Sequence, residues 1–108
     1  MRYAVANTRW RKSMNYLPNE YRVAISIFEH NVADIPASLS ALTECFDGKL
    51  SKQSIADCLR WLLDTGVVEK EWIRISDKPW TLAYRISEKD TEMVRNLEIY
   101  YSNKAWHG

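Results

Sequence analysis

Leu59-Arg60-Trp61-Leu62-Leu63-Asp64-Thr65-Gly66-Val67-Val68 is the stretch on which the fold turns. Leu59, Leu62 and Leu63 recur at helical spacing and continue a stripe begun at Ile55, so a helix runs into this stretch from Ser51, a natural N-cap. Gly66 stands where a left-handed residue ends a helix. Beyond it, Val67-Val68-Glu69-Lys70-Glu71-Trp72-Ile73-Arg74-Ile75 is β-prone. Ser76-Asp77-Lys78-Pro79 then reads as a turn. Trp80, Leu82, Tyr84 and Ile86 alternate through a second strand, which together with the first predicts a β-hairpin. A helix must therefore reverse directly into a hairpin.

Upstream, Leu17-Pro18-Asn19-Glu20 opens a segment in which Tyr21, Ala24, Ile25 and Phe28 fall on one helical face, with Val23 and Ile27 as a second apolar flank. Pro18 suits the first turn of this central helix, and His30-Asn31 marks its end. A second, short helix follows, capped by Asp34 or Ser38, with Pro36 in its first turn. Its inward stripe is Leu39, Leu42, Cys45 and Phe46, and Asp47-Gly48 breaks it. Downstream, Ser87-Glu88-Lys89-Asp90 resembles a capping box, and Met93, Leu97, Tyr100 and Tyr101 define a final amphipathic helix.

A chain of 108 residues suits one core, and 46% hydrophobic against 27% charged residues is a globular balance. No apolar run is long enough to span a membrane and the first residues do not form a signal peptide, so the expectation is a soluble, cytoplasmic protein. Cys45 and Cys58 form no CxxC pair and are read as small core residues. The net charge of +1 conceals a gradient: residues 1–12 carry +4, 13–50 carry −3, 51–85 carry +1 and 86–108 carry −1. Five Trp and six Tyr exceed what so small a core demands, which directs some of them toward a partner.

Residues 35–87 resemble a winged helix-turn-helix domain, the module of transcription regulators of the MarR, ArsR and PadR kind. The resemblance is carried by Ser38-Leu39-Ser40-Ala41-Leu42, by Leu50-Ser51-Lys52-Gln53-Ser54-Ile55 and by the run from Leu59 to Val68. It implies an α+β, mainly helical fold: a winged helix-turn-helix with a two-stranded wing and additional N- and C-terminal segments, the last of them helical. The corresponding division is a basic arm or short helix over 1–16, a winged-helix domain over 17–87 and a C-terminal helix over 88–108. The helix beginning at Ser51 then corresponds to the recognition helix, which places Ser51, Lys52, Gln53 and Ser54 at the major groove of double-stranded DNA. Arg60 is assigned to a backbone phosphate, and Arg74, Lys78 and Arg85 correspond to wing contacts. The arm residues Arg9, Arg11 and Lys12 can follow phosphates, with Trp10 between two arginines. Asp57, Glu69 and Glu71 lie among these cations and repel phosphate, so tight binding calls for a dimer. Met93, Leu97, Tyr100 and Tyr101 are the candidate dimer surface, with closure of the monomer core as the other role open to that helix.

Neither His30 nor His107 has neighbours at metal-ligand spacing, and no Gly-rich phosphate loop, GxSxG or HExxH is present, so no enzyme, metal or cofactor is expected. A small-molecule effector is left open. The function indicated is a sequence-specific, dimeric DNA-binding transcription regulator. The other reading is a winged-helix module that binds protein through its aromatic wing and final helix.

Overall fold

The structure, a computed structural model, describes residues 17–107 and the surroundings of side chains as far as Tyr100. Its elements run α1 (Asn19–Val32), α2 (Leu39–Phe46), α3 (Lys52–Asp64), β1 (Val68–Ile73), β2 (Thr81–Ile86), a 3-10 turn (Glu88–Asp90) and α4 (Thr91–His107). Every element follows the expected order, and the α+β winged-helix architecture is the one observed.

The helix ends follow from single residues. Pro18 is the N-cap of α1 rather than part of its first turn, because its extended ψ of 142° turns its carbonyl toward the amides of Tyr21 and Arg22. Ser38, not Asp34, caps α2 by accepting from the amide of Ala41 at 3.1 Å, which leaves Pro36 outside the helix. Asp47 and Gly48 both take left-handed φ, 48° and 83°, and this pair makes the tight turn from α2 to α3. Ser51 caps α3 by accepting from the amide of Ser54 at 3.0 Å. At its other end the amides of Gly66 and Val67 donate to the carbonyls of Leu63 and Leu62, a Schellman closure with Gly66 at φ 80°. A Cβ at Gly66 would meet only the Lys89 side chain at 3.7 Å, so the glycine is required by the left-handed backbone and not by crowding.

The core gathers Val23, Ala24 and Ile27 of α1, Leu42 of α2, Ile55, Cys58, Leu59 and Leu62 of α3, Val68, Tyr84 and Ile86 of the sheet, and Val94 of α4. Helix α1 is central, touching α2, α3, α4 and β2, so its buried line centres on Val23, Ala24 and Ile27 while Tyr21, Ile25 and Phe28 are half-buried at its edges. Tyr21 meets Trp61 of α3 edge-on, with ring centroids 6.1 Å apart. Cys58 is buried, which raises its thiol pKa, with the nearby acids Glu20 and Asp57 adding to the shift. Cys45, expected in the core, is exposed: Leu42 takes the buried position of that short helix, and the Cys45 sulfur accepts a long contact from the Ser26 hydroxyl at 3.7 Å.

β1 and β2 pair antiparallel, with Val68 opposite Ile86, Lys70 opposite Tyr84 and Trp72 opposite Leu82. Among the described residues, no third strand pairs with the outer edge of β2. Its bonding groups are met instead by the loop before α2 and by one side chain at the end of α1. The Tyr84 amide donates to the Ala37 carbonyl at 3.1 Å. The Asn31 amide nitrogen donates to the Tyr84 carbonyl at 3.2 Å, and its oxygen accepts from the Ile86 amide at 3.0 Å. Ser87 joins the sheet end to the reversal: its amide donates to Val67, its hydroxyl donates to the Gly66 carbonyl, and its carbonyl accepts from Thr91 at the start of α4.

Helix α4 folds back along α1 and buries Val94 completely. This is the monomer-closing role that the sequence left open for that helix. Met93, one residue away, is exposed, while Leu97 and Tyr100 are half-buried. On this packing line Glu29 of α1 shares a hydrogen bond with Glu98 of α4. Burial, that shared bond and the like charge of Glu98 hold the Glu29 carboxyl above the ordinary range, against a smaller opposing pull from His30.

Two outcomes follow from these contacts. Asn31→Ala strands a donor and an acceptor of β2 and is expected to cost about 2–3 kcal/mol, read from the shift in urea midpoint at unchanged slope. A raised carboxyl pKa favours the folded state while protonated, so stability falls as pH rises from the usual glutamate range through the raised value. Glu29→Gln should therefore unfold at a higher temperature than the parent chain at pH 7.5, with the gap closing toward pH 4 in thermal scans.

Candidate nucleic-acid interface

The turn at Asp47-Gly48 and the packing of Leu42, Leu50 and Ile55 set α3 across α2. The first turn of α3 is thereby left outside the core. Ser51, Lys52 and Gln53 are exposed there and Ser54 is half-buried. Their hydrogen-bonding capacity is partly spent within the chain. The Ser51 hydroxyl accepts from the Ser54 amide and donates to the Ser54 hydroxyl at 3.0 Å, so both serines fix the helix start. Gln53 donates from Nε2 to Asp57 at 2.9 Å, one turn along the helix. This bond turns the Gln53 amide along the helix axis and ties it to the acid that the sequence placed among the cations.

Farther along α3, exposed Arg60 stands over a groove of about 420 Å³ lined by Leu39, Leu59, Leu63, Lys70 and Tyr84, among others. The reversal at Gly66 sends β1 back against α3, and the pleat of the hairpin then decides which side chains meet the helix. Val68, Lys70 and Trp72, opposite Ile86, Tyr84 and Leu82, share the face turned toward α3. Burial raises the Tyr84 phenol pKa at the groove floor, so this hydroxyl is neutral beside the Lys70 ammonium. Glu69 and Glu71, opposite Arg85 and Ala83, share the other face. There Arg85 forms a forked pair with Glu71, at 3.3 and 3.4 Å, beside Ile73 and the Pro36-Ala37 segment. The acids that accompany the wing in sequence are thus turned away from α3.

At the hairpin tip Arg74 and Lys78 are exposed, and Arg74 donates from Nε to the Lys78 carbonyl at 3.1 Å. The bond braces a turn in which Ser76 takes a left-handed φ of 53°. Trp72 stands opposite Leu82 rather than opposite Trp80, so the two tryptophans do not form a directly facing pair.

Of the residues singled out from sequence, Ser51, Lys52, Gln53 and Ser54 lie together at the first turn of α3. Arg60 lies at the groove, Arg74 and Lys78 lie at the hairpin tip, and Arg85 is diverted to Glu71. Arg9, Arg11 and Lys12 lie outside the described residues, as does the side chain of Tyr101. Lys70 and Tyr84 were not singled out from sequence as interface positions. The signal for Lys70 was present, since it shares strand parity with Trp72 and Val68. For Asn31, which fixes the hairpin against α1, no local signal distinguishes its side chain from that of any polar helix end.

Among the described residues, no group of three or more His, Cys, Asp and Glu side chains is placed to hold a metal ion, and no helix is long and apolar enough to cross a membrane. The sequence matches no family model and no curated protein. Solved structures do share the fold. The circadian clock associated protein Pex from anabaena superposes with a TM-score of 0.61 at 12% identity, covering 83% of this chain and 82% of its own. The transcriptional regulator YodB from B. subtilis, in its reduced form, superposes with a TM-score of 0.51 at 22% identity, covering 76% of this chain and 74% of its own.

Proposed function

We propose that this chain is a sequence-specific, double-stranded DNA-binding transcription regulator that acts as a dimer. The first turn of α3 enters the major groove, and the hairpin lies on the flanking backbone or adjoining groove. One observation carries the reading: α3 exposes Lys52 at its start and Arg60 farther along, Lys70 shares the hairpin face of Val68 and Trp72, and Arg74 and Lys78 are exposed at the hairpin tip, while Glu69 and Glu71 lie on the opposite face of the sheet. The likeness of fold to a protein described as a transcriptional regulator supports it, as does the resemblance of residues 35–87 to the MarR, ArsR and PadR kind.

In this reading Lys52 reaches guanine acceptors or a phosphate, and Gln53 exchanges its bond to Asp57 for an adenine edge. Ser51 and Ser54 hold the helix start in register and offer their remaining lone pairs. Arg60 and Lys70 contact phosphates from either wall of the groove between helix and hairpin, and the arm residues Arg9, Arg11 and Lys12 add further phosphate contacts. Two copies joined through α4, around Met93, Leu97, Tyr100 and Tyr101, would read half-sites about one helical turn, roughly 34–36 Å, apart.

A duplex selected from a random pool by the full chain provides the test. Lys52→Ala with Gln53→Ala should lower affinity for that duplex at least tenfold and remove discrimination against scrambled sequence. Unchanged binding in a salt-controlled gel shift would remove α3 from the interface. For the dimer, sedimentation equilibrium of the full chain should give twice the monomer mass, and Met93→Lys should shift it toward the monomer. Monomer mass for the parent chain at tens of micromolar would reject that surface.

A further inference from the structure

The hairpin carries two indole rings that stand exposed among the described residues. Trp72 and Trp80 are 64% and 60% exposed, and Ile75 between them is exposed as well. Arg74 directly follows β1 and Trp80 directly precedes β2, next to the last ladder pair, Ile73 opposite Thr81. Followed outward from its base, one face of the hairpin reads Val68, Lys70 and Trp72 on one strand and Ile86, Tyr84 and Leu82 on the other, with Arg74 and Trp80 just beyond the strand ends at the tip. Its inner part packs on the helices and buries Val68, Tyr84 and Ile86. Toward the tip, Leu82 is half-buried against the core while Trp72 and Trp80 stand exposed.

No carboxylate of either strand lies on this side. Glu69 and Glu71 belong to the opposite face, and Glu71 is held there by Arg85. In the turn, Asp77 sits next to Lys78. Flat apolar rings set among cations, with the strand acids facing away, are complementary to a polyanion built from stackable rings. An acidic protein surface would match the charges but would leave the two indoles without partners of their own kind.

We infer that Trp72 and Trp80 are base contacts. With the start of α3 in the major groove, the hairpin end enters the adjoining groove of the duplex and sets an indole as an apolar wedge at a base step, while Lys70, Arg74 and Lys78 hold the phosphates on either side. The inference rests on the DNA-binding reading above and adds a contact whose energy is apolar rather than ionic. It also carries a sequence preference of its own. Unstacking is least costly at flexible pyrimidine–purine steps, so a TA or CA step belongs beneath the hairpin in the preferred site.

The test uses the full chain and its selected duplex, with affinity measured by fluorescence anisotropy across a salt series. Trp72→Ala and Trp80→Ala should each weaken binding by about tenfold with the slope of log affinity against log salt unchanged, because stacking is lost and no phosphate contact is. Trp72→Phe should retain most of the affinity, and Lys78→Ala should flatten the slope by about one. As a second readout, in a chain with Trp10, Trp61 and Trp106 each replaced by Phe, duplex binding should quench the emission of the remaining indoles. Alanine variants that bind as the parent does, or unquenched indoles in the complex, overturn the inference while the α3 reading stands on its own double variant. Tighter binding to the corresponding single strand than to the duplex overturns the wedge, and a parent chain that binds no duplex overturns both readings together.

Discussion

One carboxamide holds the sheet to the helices. A two-stranded hairpin is marginal by itself, and its open edge leaves amides and carbonyls that need partners. Asn31, at the end of α1, supplies both a donor and an acceptor to that edge, and the Ala37 carbonyl supplies one acceptor more. These three bonds do what a third strand would do. They fix the hairpin against α1, and the Schellman closure at Gly66 fixes its other side against α3. The angle between α3 and the hairpin, on which the candidate interface depends, is therefore set from two directions by hydrogen bonds of the backbone and a single side chain.

Charge is organised on the same scaffold. The net +1 of the chain would describe a surface indifferent to nucleic acid, but alternation along β1 separates the signs that the sequence interleaves. Glu69 and Glu71 go to one face and Lys70 to the other, with Trp72 beside Lys70 in the same parity. Arg85, a cation by composition, is neutralised by Glu71 on the far face, whereas Arg74 and Lys78 stay exposed at the tip. Fractions of charged residues, even when divided along the chain, cannot show this. The division that matters runs across the sheet rather than along the sequence.

The elements were legible wherever their causes were local. Ser51 bonds to an amide three residues on, and the closure at Gly66 runs from Gly66 to a carbonyl three residues back and from Val67 to one five residues back, so both could be read from neighbours. Ser38 was legible as one of two caps, and Pro18 was displaced by one position because a proline can end an extended segment as readily as start a helix. What the sequence did not show acts at long range. Asn31 reaches Tyr84 and Ile86 across 53 and 55 positions, with nothing local to announce it. Cys45 satisfies helical spacing but lies on the flank of an eight-residue helix that can bury only one line of side chains. On α4 the apolar stripe from Met93 through Leu97 was readable, yet which of its shoulders faces inward depends on α1, and it is Val94 that is buried.

Ser87 ties three things into one knot: the end of the hairpin, the reversal after α3, and the first residue of α4. Helix α4 is 17 residues long, about 25 Å at 1.5 Å per residue, and it is rooted at this knot. It is in effect a lever whose fulcrum is the base of the wing. A tilt of only about 5° there sweeps its far end through about 2 Å by simple trigonometry on that length. The far end of α4 is thus tied, through Ser87, to the residues at the base of the wing.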